Sequence, residues 1–187
     1  GYSFTHNFLS DLGGYTARSG EQNFLSSFFF NMAVFLFSAV GVGFLFVPQL
    51  FRSDPLGYRL AIMGSGFFVL GMVFFAGVGL TPYDLYTELH IFFALNAFRL
   101  LIPGALFYVI VIYRSSVKNS FTLITLFYLI SVTAYVIYQM ASGSALESEA
   151  EMVNQASIQK VIVLISMMST YSMSSAFSSQ FKILTKH

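Results

Sequence analysis

Five long apolar runs, parted by short polar joints, leave this chain few ways to fold. They cover residues 24–47, 58–80, 89–113, 121–140 and 158–181. At 1.5 Å of helical rise per residue, each is long enough to cross a hydrocarbon core about 30 Å thick. Hydrocarbon offers the backbone no hydrogen-bonding partner, so each run must satisfy its own N–H and C=O groups as a helix. The fold class expected is all-α: a polytopic transmembrane helical bundle of five spans, forming one domain over 1–187. Composition agrees, because 56% of residues are hydrophobic, 9% are charged and the mean hydropathy is +0.73, which excludes a water-soluble globule.

Charge and residue inventory exclude several functions. Nine Lys+Arg stand against eight Asp+Glu and the basic residues are scattered, so no nucleic acid partner is expected. The absence of cysteine removes disulfides, thiolate metal sites and iron–sulfur clusters. Bis-histidine haem needs two histidines on facing helices, yet His6 and His187 are terminal and only His90 touches a span. A retinal lysine would lie deep in a helix, whereas Lys160 is near one end of the fifth run. No cofactor is expected.

Loop charges set the orientation. The joints carrying Arg52/Arg59 and Arg114/Lys118, with the tail carrying Lys182/Lys186, alternate with segments carrying Asp84/Glu88 and Glu147/Glu149/Glu151. Lys and Arg beside helix ends are retained in the cytoplasm, so the N-terminus of the chain is expected outside and the C-terminus inside. Gly64 and Gly71 on the second run, with Ala33, Ser38 and Gly41 on the first, supply small positions where helices in lipid approach closely. The 23 Phe and 11 Tyr read as lipid-facing and interfacial anchors rather than a cofactor box.

Polar residues at the outer ends carry the first candidate site. Ser10 and Asp11 precede the Gly13-Gly14 turn, and Asp84 and His90 flank the start of the third run. The simplest role for Asp84 is to cap free N–H groups of a local turn, and for His90 an interfacial hydrogen bond. If the elements converge, Asp11, Asp84 and His90 are candidate metal ligands, and Ser10, Asp11, Asp84 and His90 are candidate catalytic residues able to polarise a hydroxyl or water. No HExxH or Gly-x-Ser-x-Gly spacing selects between these readings. The acidic stretch Ser142 to Asn154 reads as a solvated loop or short surface helix.

A second candidate lies deeper. Arg99 falls well inside the third run, where a charge costs about 2.5 to 3.5 kcal/mol even on insertion scales. Asn96 is one turn before it, and Pro103 removes the helical hydrogen bond to its carbonyl, which favours a kink. Asn31, Tyr135 and the Ser172/Ser175/Ser179 stripe are the expected acceptors for the guanidinium, as a ligand pocket of Arg99, Asn96, Asn31 and Tyr135 or as a polar knot fixing helix register. Tyr128, Ser131, Tyr135 and Tyr138 share one face of the fourth run and suit packing or a cavity wall.

The pattern Asn7-x-x-Ser10-Asp11-Leu12-Gly13 before an apolar span, followed by Gly79-x-x-Pro82-x-Asp84 and His90 at the start of a later one, resembles the prokaryotic membrane family called domain of unknown function 998. It is distantly similar to the eukaryotic DRAM/Frag/Sfk family, whose outer loop after the first helix carries a Ser-Asp-x-Gly element. The resemblance implies a six-helix family fold whose first helix is missing from this sequence, so that a span precedes Gly1, and the plasma (inner) membrane of a prokaryote. It brings no established activity from the prokaryotic family, and an association with lipid-linked processes from the eukaryotic one.

Three functions stand open on these grounds. The first is recognition of a lipid headgroup or similar polar ligand around Asp11, Asp84 and His90, with a membrane lipid as partner and Arg99 as a deeper contact. The second is a non-catalytic accessory subunit packed against other membrane-protein subunits, and the third is a membrane-embedded hydrolase using His90 with Asp84 or Asp11.

Overall fold

The computed structural model describes residues 2–143 and 147–186; Gly1, Ser144 to Leu146 and His187 lie outside the described residues. Its elements are α1 (Phe24–Ser38), α2 (Val40–Phe44), α3 (Pro55–Leu80), α4 (Thr87–Arg114), α5 (Asn119–Ala141) and α6 (Glu149–Leu184), with short 3-10 turns at Leu9–Gly13 and Val47–Phe51. Among the described residues there is no β-strand, and five helical stretches are long and apolar enough to cross a membrane: residues 24–51, 55–80, 87–114, 119–141 and 149–184.

The first stretch is interrupted rather than continuous. Ala39 separates α1 from α2, where Ala39 N–H reaches the Leu36 carbonyl instead of a full α-helical partner. Gly41 and Gly43 lower helix propensity there, and Pro48 joins the 3-10 turn that ends the stretch. The last stretch is longer than its apolar run. The Ser148 hydroxyl accepts the Glu151 N–H at 3.1 Å, and Glu149 and Glu151 place negative charge on the first turn. The acidic stretch from Glu149 onward is therefore helix continuous with the span, not a loop. The helix of α4 also continues through Pro103.

Close packing of α3 on α4 holds the bundle centre. A Cβ on Gly64 would lie 3.0 Å from the Tyr108 ring, and one on Gly104 2.8 Å from Phe68, so each helix presents small residues to aromatic ones on the other. Phe44, Phe68, Tyr108 and Phe177 join α2, α3, α4 and α6 in one aromatic knot, with Phe44 and Phe68 stacked at 4.5 Å and Tyr108 5.2 Å from Phe177. Ser65 donates to the Phe44 carbonyl at the end of α2 (2.6 Å) and meets the Tyr108 hydroxyl at 2.7 Å, which satisfies three buried polar groups. By contrast, α1 buries only Ser27 and exposes Phe28, Phe29 and Leu36, a face suited to lipid.

The N-terminal segment is an ordered cap over one end of the bundle. Its Leu12, Gly13 and Gly14 carbonyls accept side-chain hydrogen bonds from Asn23, Ser26, Ser27 and Asn31 around the start of α1. Gly13 is required there, because a Cβ would stand 2.5 Å from the Phe30 ring. On α6, Gln159 accepts the Leu9 N–H at 2.7 Å, Lys160 donates to the Asn7 carbonyl, and Glu149 pairs with His6. The opposite end is tied by Arg114 at the end of α4, which donates to both oxygens of Asp54 at 2.8 and 2.9 Å.

Candidate functional site

At the capped end, the two acidic turns meet on one surface, but their carboxylates are already engaged. Asp84 Oδ1 accepts the Tyr15 N–H at 2.9 Å and Oδ2 the Thr16 N–H at 2.8 Å. It does not cap α4, whose N-terminus has no side-chain cap. Asp11 Oδ2 accepts from Phe8 N–H (3.0 Å) and the Asn7 amide (2.9 Å), and Arg18 pairs with it at 2.9 Å. Both are anchors of the cap, because each holds backbone N–H groups that no helix supplies with acceptors.

This geometry corrects the expected metal site. Among the described residues no three His, Asp or Glu side chains form a group able to hold an ion, so Asp11, Asp84 and His90 do not converge as ligands. Nor do Ser10, Asp11, Asp84 and His90 assemble as one catalytic cluster. His90 is 5% exposed, and its Nδ1 lies 2.7 Å from the Thr81 carbonyl. A carbonyl can only accept, so Nδ1 carries the proton and Nε2 keeps its lone pair. The imidazole is thus oriented by backbone rather than by a carboxylate.

Two of the candidates do share a space. Ser10 and His90 both line a cavity of about 400 Å³ at the capped end. Phe8 and Arg18 of the cap, Tyr83, Gln139 of α5 and Gln155 of α6 complete its polar and aromatic walls. Tyr83 meets the His90 ring edge-on at 5.8 Å. Gln155 Nε2 spends both its N–H groups on Gly143 O and Glu151 Oε1, and Gln139 Nε2 gives one to Tyr135 Oη, so the two amide oxygens and the second Gln139 N–H are the groups left for a ligand. Arg18 brings donors whose charge Asp11 already balances. Ile91, Ala94 and Leu95 form an apolar floor.

Below that floor lies a second cavity of about 280 Å³ with almost wholly apolar walls, among them Phe30, Val34, Phe98, Val163 and Met167. It is bounded by α1, α3, α4 and α6, and Ala94 lines both chambers.

The deeper candidate site is not assembled. Arg99 is exposed on the outward face of α4, and among the described residues its guanidinium reaches only Asn96 Oδ1, at 3.5 Å. Asn31 instead bonds the Gly13 carbonyl and Ser27, and Tyr135 is buried against Phe98 at 4.9 Å with Gln139 as its partner. Ser179 bonds back to the carbonyl of its own helix four residues earlier. The reason is helix phase: Phe98, Leu101, Ala105, Tyr108 and Ile112 form the buried stripe of α4, which turns Arg99 away from the interior.

Sequence reasoning missed Arg18, Tyr83 and Gln155 as cavity residues. Gln155 falls between the acidic stretch ending at Asn154 and the apolar run that begins at Ile158, and Arg18 signalled only charge; no local spacing links either to His90. Comparison of the chain with protein-family models, curated proteins and solved structures returns no significant match, so its own geometry is what speaks for the site.

Proposed function

We propose that this integral membrane protein binds an amphiphilic lipid, with its headgroup in the cavity of Ser10, Arg18, His90, Gln139 and Gln155 and an acyl chain in the apolar chamber beneath. The observation that carries this reading is the pairing of a cavity that has several polar groups in its walls with an almost wholly apolar one, across one shared residue, Ala94. Ligand sites combine apolar walls with a few placed polar groups in this way. Because Arg18 is neutralised by Asp11, the polar chamber suits an uncharged or zwitterionic head rich in hydroxyls. Ser10 and Arg18 offer donors, and His90 Nε2 and the two glutamine oxygens offer acceptors.

In this reading the capped end faces the outside of a prokaryotic plasma membrane, because the basic residues Arg52, Arg59, Arg114, Lys118, Lys182 and Lys186 belong to the other end and its tail. The resemblance to the domain of unknown function 998 and DRAM/Frag/Sfk families, the latter associated with lipid-linked processes, points the same way but is a weak warrant for function.

Native mass spectrometry after mild detergent extraction tests it. A lipid should travel with the protein, and Ala94→Phe, which fills the junction of the chambers, should release it. Protein that carries no lipid, or an Ala94→Phe variant that folds and retains it, rejects the reading.

A further inference from the structure

Arg99 is an uncompensated charge in the middle of a span. It lies about 18 Å along the axis from Thr87 and about 22 Å from Arg114. A hydrocarbon core about 30 Å thick centred on α4 leaves either interface near 15 Å away, farther than an arginine side chain reaches by snorkelling. Among the described residues its only polar contact is Asn96, and it lines neither cavity. Pro103, one turn on, has no N–H to give the Arg99 carbonyl, which is left without its helical partner in the same turn of α4.

The surroundings have the pattern of a helix interface. Phe92, Asn96, Arg99, Pro103, Leu106 and Ile110 follow one another at alternating steps of four and three along the outward side of α4, with Phe92, Leu106 and Ile110 exposed. That is the spacing of a seam on which a second helix crosses at about 20°, and a lone polar position within such a seam fixes register and partner. The buried stripe on the opposite side of α4 is already occupied by the bundle.

The occupant must bring negative charge to mid-membrane depth. The eight acidic residues of this chain are Asp11, Glu21, Asp54, Asp84, Glu88, Glu147, Glu149 and Glu151, all in joints or first turns of helices. None of these residues therefore brings a carboxylate to the level of Arg99, and two copies of them side by side in the same bilayer would oppose one arginine to another. Lipid phosphates lie at the interfaces. We propose that the outward face of α4 docks a transmembrane helix of a different protein that carries an aspartate or glutamate near its midpoint, paired with Arg99 and Asn96. This inference is independent of the lipid cavity.

The test co-reconstitutes the full chain, labelled at its C-terminus, with a labelled model helix of Leu and Ala bearing one central Glu, in phosphatidylcholine vesicles, and reads association by energy transfer. Association should be about tenfold tighter with the Glu helix than with its Gln or Leu counterpart. Arg99→Met, which places an apolar side chain toward lipid and spares the bundle, should remove that difference, and Arg99→Lys should keep part of it. Equal association of the Glu and Leu helices with the wild-type chain overturns the proposal. So does a preference that Arg99→Met leaves intact, or self-association of the chain that depends on Arg99.

Discussion

Asp84 holds Tyr15 by accepting its N–H at 2.9 Å, across 69 positions of sequence. With Thr16 on its other oxygen, this one carboxylate ties the loop between α3 and α4 to the N-terminal cap and so closes the wall around His90 and Tyr83. Replacing it with Ala frees two exposed N–H groups to water. Amide hydrogen exchange at Tyr15 and Thr16 should accelerate, with a stability loss of about 1 kcal/mol. Unchanged protection at those two amides would contradict the anchoring role.

The pair of Asp54 and Arg114 makes the other end sensitive to acid. The guanidinium, hydrogen-bonded to both oxygens, holds the Asp54 carboxyl below its ordinary pKa. The unfolded chain then binds the proton first, so the stabilisation is complete above the ordinary carboxylate range and is lost as pH falls through the depressed value. Thermal unfolding in detergent should show a steeper decline from pH 5 to pH 3 for the wild type than for Asp54→Asn. Parallel declines would show that the pair contributes nothing.

Two glycines on α2 should answer oppositely to the same substitution. A Cβ on Gly41 would stand 2.8 Å from Met72 Cβ, an atom fixed to the α3 backbone, whereas nothing lies within 4 Å of a Cβ on Gly43. Gly41→Ala is expected to destabilise by about 1–3 kcal/mol through overpacking. Gly43→Ala should be neutral or stabilise by up to about 1 kcal/mol through helix propensity. Melting temperatures of the two variants side by side check the contrast.

Ser65 should matter more than Tyr108 in the hydrogen bonds they share. Ser65→Ala strands the Phe44 carbonyl and leaves the buried Tyr108 hydroxyl with only its long 3.5 Å bond to the Ala61 carbonyl, at a cost of about 2–3 kcal/mol. Tyr108→Phe removes one hydroxyl and leaves Ser65 bonded to Phe44, at about 1 kcal/mol. The reverse order in detergent unfolding would mean that the ring, not the carbonyl, sets the energetics of this knot.

The five spanning stretches were legible from the chain alone, because a run of apolar residues in lipid has one dominant way to satisfy its backbone, whereas the break of the first at Ala39 was not. Residues 58–80 and 89–113 fall within α3 and α4, and Gly64 packs against an aromatic ring as small residues in membranes do. The start of α6 was less legible, since Glu149 and Glu151 look like loop by hydropathy and become helix through the cap at Ser148. The site lay further from reach. Ser10 and His90 meet in one cavity only because Asp11 and Asp84 are consumed in folding the cap, and Arg99 lies outside only because Phe98 and Leu101 claim the inward face of α4. Hydropathy is a property of each segment and survives without neighbours. Which polar atom finds which partner depends on helix phase and on contacts made across tens of residues, and these exist only once the bundle has closed.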